Sequence, residues 1–215
     1  MPIINLKSEP IRLITSGFSG CGKTNLIVNI LMNDKLLGNV YDNIYIINPN
    51  FYNDGLYHGY FDIPKENVYL EYSDDVITQI IKKSIPSEKT VIVIDDCVGT
   101  EDFYQRFASK KSSPLIKLAT HGRHSGISMI ILTQSMKYVT PIIRQQSNVL
   151  IVFQAFSKQE QKNIYEEKGR GSFDEFKTFL EKQTERSYQF LVISTIGGEL
   201  RFYNEKFSEI HMPSE

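Results

Sequence analysis

The sequence predicts a three-layer α/β fold built on a mostly parallel central sheet. Three observations lead there. Strand-like and helix-like stretches alternate along the chain, the runs TVIVIDD, ISMIILTQ and NVLIVFQ are almost wholly apolar, and a glycine-rich loop joins the first strand to the first helix. A strand that is apolar at every position is covered on both faces, as in a parallel sheet sandwiched between helices. Such sheets take ligands at the C-terminal ends of their strands.

Each element has its own signal. Ile11 to Ser16 reads as the first strand and Lys23 to Asn33 as the first helix, with Leu26, Ile27, Ile30 and Leu31 at helical spacing. Asn43 to Asn48 is the second strand, stopped by Pro49. Residues 51–61, FYNDGLYHGYF, are turn-rich and carry no legible chemistry. Ser73 is placed to cap a helix reaching Lys83, with Asp74 and Asp75 at the positive end of its dipole. Thr90 to Asp96 is the third strand, and two short helices are expected between Glu101 and Ala119. Ile127 to Gln134 and Asn148 to Gln154 are the fourth and fifth strands. Helices over Lys158 to Glu167 and Phe173 to Lys182 then precede a final hairpin, in which YQFLVIS and ELRFYN flank TIGG. One domain is expected over residues 1–215, with its core at about 8–156 and the C-terminal helices and hairpin at about 157–205.

Composition narrows the partners. The 24 Lys and Arg residues balance 25 Asp and Glu, so there is no overall electrostatic footprint for nucleic acid and any DNA surface must be local. The pairs Lys82-Lys83 and Lys110-Lys111 read as solvated faces. Two cysteines, Cys21 and Cys97, supply neither a disulfide framework nor a zinc-ligand set, which fits a reducing, intracellular compartment. The start MPIINLKSEP lacks the apolar core of a signal peptide, and no run approaches the eighteen or so apolar residues of a membrane span.

The chemistry begins in ITSGFSGCGKTNLIVNIL. Gly17, Gly22, Lys23 and Thr24 fit G-x-x-x-x-G-K-[ST], and the loop sits between a strand and a helix, the context that pattern requires. Glycines let successive N–H groups turn inward onto an anion, and the helix adds its unpaired N–H groups and dipole. Gly17, Ser19, Gly20, Cys21, Gly22, Lys23, Thr24 and Asn25 are therefore the expected phosphate-binding residues of a P-loop NTPase, with ATP and Mg²⁺ as its ligands. Lys23 reaches the β- and γ-phosphates, and Thr24 ligates the metal. Asp95 and Asp96 end the third strand: Asp95 is the expected Mg²⁺ partner of the loop, Asp96 the group that polarises an attacking water. Gln134 ends the fourth strand, where an amide can bond the γ-phosphate or the lytic water. In a RecA/ASCE-like topology the predicted strands run fifth, first, fourth, third, second across the sheet.

The segments GFSGCGKTN, VIVIDD, HGRHSGISMIILTQS and VTPIIRQQSNVLIVFQ resemble the FtsK/HerA superfamily and, within it, the small genome-packaging ATPases of poxviruses, giant viruses and virophages, over about residues 8–156. The resemblance implies an oligomeric ring, a pentamer or hexamer, that uses ATP to drive double-stranded DNA into a preformed capsid. It implies a capsid or vertex protein as partner and a site of action in host cytoplasm or viral factory, with virion association also open. The broader group often carries Glu as the second acid; this chain has Asp96, as the packaging branch often does, and Glu101 is the nearby alternative base. His121 and His124 lack a third ligand in their segment. Arg123 and Arg144 are the candidates for an arginine that offsets charge on the γ-phosphate from a neighbouring subunit, Arg144 ahead of Arg123. Two other classes stand beside this reading: a small-molecule phosphotransferase such as a nucleoside kinase, and an assembly factor that binds ATP as a structural ligand. A GTPase is excluded by the lack of an N-K-x-D segment, and a two-lobed helicase by length.

Overall fold

The computed structural model describes residues 3–57, 59–97 and 113–213, apart from the side chains of Asp54, Arg123 and His124. In chain order the elements are β1 (Arg12–Ser16), α1 (Lys23–Met32), β2 (Asn43–Ile47), α2 (Phe51–Asp54), β3 (Val68–Tyr69), α3 (Asp74–Lys83), β4 (Thr90–Ile94), α4 (Pro114–His121), β5 (Ile127–Thr133), α5 (Pro141–Gln146), β6 (Val149–Phe153), α6 (Lys158–Lys168), α7 (Phe173–Gln183), β7 (Phe190–Ser194), β8 (Arg201–Tyr203) and β9 (Glu209–Ile210). The nine described strands form one sheet in the order β3-β2-β4-β5-β1-β6-β7-β8-β9.

Strands β2, β4, β5, β1 and β6 lie side by side and parallel, in the order the sequence predicts. The sheet is longer than predicted at both borders. Two-residue β3 adds to β2, and the C-terminal hairpin is no separate appendage: β7 pairs antiparallel with β6, followed by β8 and β9. Alternation inside the apolar runs builds two cores. Val91 and Val93 of β4 face one side with Ile27 and Ile30 of α1; Ile92 and Ile94 face the other with Ile77 and Ile80 of α3 and Phe176 of α7. The period-2 pleat thus divides an unbroken apolar sequence between the two faces of a three-layer sandwich.

Helix starts follow side-chain chemistry. Ser73 accepts from Val76 N, Ser113 from Ile116 N, Ser157 from Glu160 N, and Ser172 forms a reciprocal capping box with Glu175. Helices α2 and α5 start without a side-chain cap bond, and so does α1, whose cap is Gly22 with φ 99°, so its first N–H groups have no side-chain acceptor at the cap. Of the two helices expected between Glu101 and Ala119, residues 98–112 lie outside the described residues, and the helix that is described, α4, runs on to His121.

Candidate active site

The C-terminal ends of β1, β4 and β5 meet at one sheet edge because their registers keep them level. Ser16 of β1 pairs with Thr133 of β5, and Ile94 of β4 pairs with Ile131. Between them opens a cleft of about 520 Å³ whose walls include Ser19, Gly20, Gly22, Lys23, Thr24, Asn25, Asp95, Asp96 and Gln134. Residues far apart in sequence are brought together there by topology alone.

The loop is folded tightly. Gly17 N donates to Thr133 O at 3.2 Å, tying the loop's start to the end of β5, and a Cβ on Gly17 would lie 2.7 Å from both Cys21 Sγ and Phe153 Cβ, so only glycine fits. Gly20 and Gly22 both take positive φ, 79° and 99°. Lys23 Nζ curls back over the loop, donating to Gly17 O at 2.8 Å and Phe18 O at 2.9 Å, which puts its ammonium at the loop's centre. Two expected loop residues stand apart from the cleft wall. Gly17 is packed beneath the loop, and the Cys21 side chain is 3% exposed and joins the core, where burial pushes its thiol above the ordinary range against the opposing pull of Lys23.

Asp95 leaves β4 pointing into the cleft. One of its oxygens, Oδ2, accepts from Thr24 Oγ1 and from Tyr57 Oη, each at 2.9 Å. The residue is 4% exposed, and burial raises its carboxyl above the ordinary value, opposed chiefly by the two hydroxyl hydrogen bonds. Asp96 differs in every respect: it is exposed, its backbone takes the left-handed φ of 54°, and its Oδ2 accepts from Asn50 Nδ2 at 3.1 Å. The kink turns two adjacent carboxylates into different environments, one buried and hydroxyl-bound, the other solvated. Gln134 stands exposed just past β5, and the backbone behind it is clamped by Glu160 of α6. That carboxylate accepts from Ser135 Oγ at 2.6 Å, Met136 N at 2.7 Å and Ser16 Oγ at 3.0 Å.

Arg144, in α5, donates to Glu167 Oε1 at 2.7 Å, Met136 O at 3.0 Å and Val139 O at 3.2 Å, with 17% of its side chain exposed. Its guanidinium is thus engaged within its own chain. Arg123 lies in the 3₁₀ turn Gly122–Ser125 that leads into β5, at the strand's end away from the cleft, and its side chain is outside the described ones. Glu101, the alternative base, also falls outside the described residues.

The pattern of the family described as "Poxvirus A32 protein" matches residues 3–194. The chain belongs to the Poxvirus A32 protein family. It is 26% identical over 144 residues to the "DNA packaging protein OPG160" of variola virus, a match covering 65% of this chain and 51% of that protein, and the vaccinia virus protein of the same name matches equally. The chain therefore spans about half the length of the curated relatives it matches. Among solved structures, the genome packaging NTPase B204 of Sulfolobus turreted icosahedral virus 2, in complex with AMP, superposes with a TM-score of 0.65 at 19% identity, covering 90% of this chain and 96% of that one. B204 of Sulfolobus turreted icosahedral virus, described as a DNA-packaging ATPase, gives 0.63 at 17% identity over 97% and 100%. These likenesses establish a shared fold.

Three features of this A32-family chain escape a reading of its sequence. Tyr57 lies in the stretch 51–61 that carries no motif, yet its fully buried hydroxyl binds Asp95. Asn50 reaches Asp96 from just beyond Pro49, and Glu160 reaches three groups from the first turn of α6. Each contact spans a loop or a crossover, so no local spacing announces it. No helix among the described residues is long and apolar enough to cross a membrane.

Proposed function

We propose that the chain is an ATP-hydrolysing motor domain that drives double-stranded DNA into a preformed viral capsid, acting as a homo-oligomeric ring against a capsid or vertex protein. The observation that carries this reading is the convergence of Lys23, Thr24, Asp95, Asp96 and Gln134 on one cleft, in a member of the Poxvirus A32 family. The names of its relatives, a DNA packaging protein and a genome packaging NTPase, support it. Family membership does not favour a nucleoside kinase or a non-catalytic assembly factor.

The donor set fits Mg²⁺. Thr24 offers a hydroxyl and Asp95 a buried carboxylate on the same side of the cleft, hard oxygens of the kind this cation selects, and a bound cation would offset the burial penalty on Asp95. Mg²⁺ held there would supply positive charge to the phosphate chain. Lys23 is assigned to the β- and γ-phosphates, and Asp96, exposed and set off the strand axis, to accepting a proton from water. Gln134 is assigned to orienting that water, with Glu160 fixing the segment behind it. The arginine supplied by a neighbouring subunit is assigned to Arg123 ahead of Arg144, because Arg144 is already committed to Glu167.

The test is ATP turnover with and without long double-stranded DNA. Wild type should be stimulated, Lys23→Ala should be flat, and Asp96→Asn should bind ATP while losing about 10²-fold or more in rate, the scale of a general base. Stimulation by nucleosides in place of DNA would overturn the motor reading in favour of a kinase, and ATP binding without turnover would favour an assembly factor.

A further inference from the structure

One aromatic residue stands on the cleft wall without a role in phosphate chemistry. Tyr188 lies in the turn before β7, which is closed on itself by Gln189 N donating to Arg186 O at 3.1 Å and Arg186 N donating to Gln189 Oε1 at 3.0 Å. Because β7 runs antiparallel to β6, pairing Phe190 with Phe153, the start of β7 rather than its end lies at the ligand edge. The turn therefore delivers Tyr188 to the same cleft as Lys23 and Thr24. Its ring sits against the loop: a Cβ on Gly22 would come within 3.2 Å of Tyr188 Cδ1.

Two further observations mark the residue. Its φ is 65°, in the left-handed region that glycine or asparagine adopts far more readily than tyrosine. The side chain is nevertheless 70% exposed, so packing in a core does not account for an aromatic ring at that position. The order β4-β5-β1-β6-β7 also puts the carboxylates to one side of the phosphate loop and Tyr188 to the other. Asp95 and Asp96 mark the end of the cleft suited to metal and water, which leaves the opposite end for the rest of a nucleotide.

We infer that Tyr188 is the stacking platform for the nucleobase of the bound nucleoside triphosphate. A flat π-face offers base stacking that tolerates different bases, and here it is held at a fixed place beside the loop that holds the phosphates. This inference rests on the reading of the cleft as an ATP site, and the two are separable by choice of ligand.

The experiment is calorimetric titration of ATP and of inorganic tripolyphosphate, both with Mg²⁺, into wild type, Tyr188→Gly, Tyr188→Phe and Phe156→Ala. Phe156 is an exposed aromatic control, 71% exposed, that lines a neighbouring cavity instead of this cleft. Wild type should bind ATP more tightly than tripolyphosphate. Tyr188→Gly should weaken ATP about tenfold, or about 1.4 kcal/mol, while leaving tripolyphosphate unchanged, and Tyr188→Phe should behave as wild type. The thermal midpoint of Tyr188→Gly should match or exceed that of wild type, since glycine suits the local backbone. Equal loss for both ligands, no loss for either, or base-dependent loss in Phe156→Ala would overturn the assignment while leaving the ATP site standing. Failure of wild type to bind either ligand would overturn the ATP site and this assignment with it.

Discussion

Thr24 Oγ1 and Asp95 Oδ2 lie 2.9 Å apart across a sequence separation of 71 residues. The bond joins the first turn of α1 to the end of β4, and so couples the phosphate loop to the buried carboxylate opposite it. Because Asp95 is held in an environment that disfavours its charge, the site should carry a measurable stability cost.

Asp95→Asn should therefore raise the thermal midpoint at neutral pH even as ATP turnover falls and half-saturating Mg²⁺ rises. Burial raises the folded-state pKa of Asp95 above its unfolded value. Native chains thus hold the proton longer than unfolded ones, and wild-type stability declines as pH climbs from about 4, the unfolded value, through the folded pKa. The advantage of the variant should be full above that window and vanish below about pH 4. Thermal melts at several pH values check this; an advantage that grows as pH falls would contradict it.

Tyr57→Phe keeps the ring, stacked 5.8 Å from Phe51, and removes one of the two hydroxyls bound to Asp95. A stability loss of about 1 kcal/mol is expected for a single buried hydrogen bond. That hydroxyl also pulls the Asp95 carboxyl downward, so its loss should raise the carboxyl further and move the acid limb of the ATPase pH profile to higher pH. Phosphate-loop affinity, read with tripolyphosphate, should stay as in wild type.

Arg144→Ala should act through the fold. It leaves Glu167, with 13% of its side chain exposed, facing a lost partner and removes one donor from Val139 O and one from Met136 O, which keeps the Val139 N–H at 3.1 Å. A cost of about 1–3 kcal/mol follows, discounted for partial exposure. A double-mutant cycle with Glu167→Gln should show strong coupling. Folded Arg144→Ala chains should keep ATPase activity on their own, whereas Arg123→Ala chains should lose it and recover part when mixed with Lys23→Ala chains, as expected of an arginine that contributes about 10³ to 10⁵ in rate across an interface.

How much of this was legible in the sequence depends on how local the signal is. The phosphate loop, the five parallel strands and the Ser73 cap all rest on patterns within a dozen residues, and the structure has them; the order of those strands came from the RecA-like topology, not from any local pattern. Asp95 and Asp96 were legible as a pair. Their division into a buried and a solvated carboxylate was not, because it depends on the left-handed backbone at Asp96 and on hydroxyls from Thr24 and Tyr57. Arg144 illustrates a non-local contact: its place after β5 gave no sign of Glu167, which α6 brings onto it from 23 residues away. The extent of the sheet was underread for a related reason. Strands of two residues, β3 and β9, have no periodicity to detect and form only because a neighbour offers its backbone.

Those two short strands have a consequence for how copies of the chain can meet. Among the described residues they are the outer borders of the sheet, and past β9 comes a single bridge between Ile3 and Ser208. A border two residues long exposes too few backbone donors and acceptors to template a foreign strand, so chain-to-chain growth by continuous hydrogen-bonded ribbon is starved at both ends. At the described borders, association of copies falls to side-chain surfaces, which can discriminate between partners, more than to the main chain, which cannot.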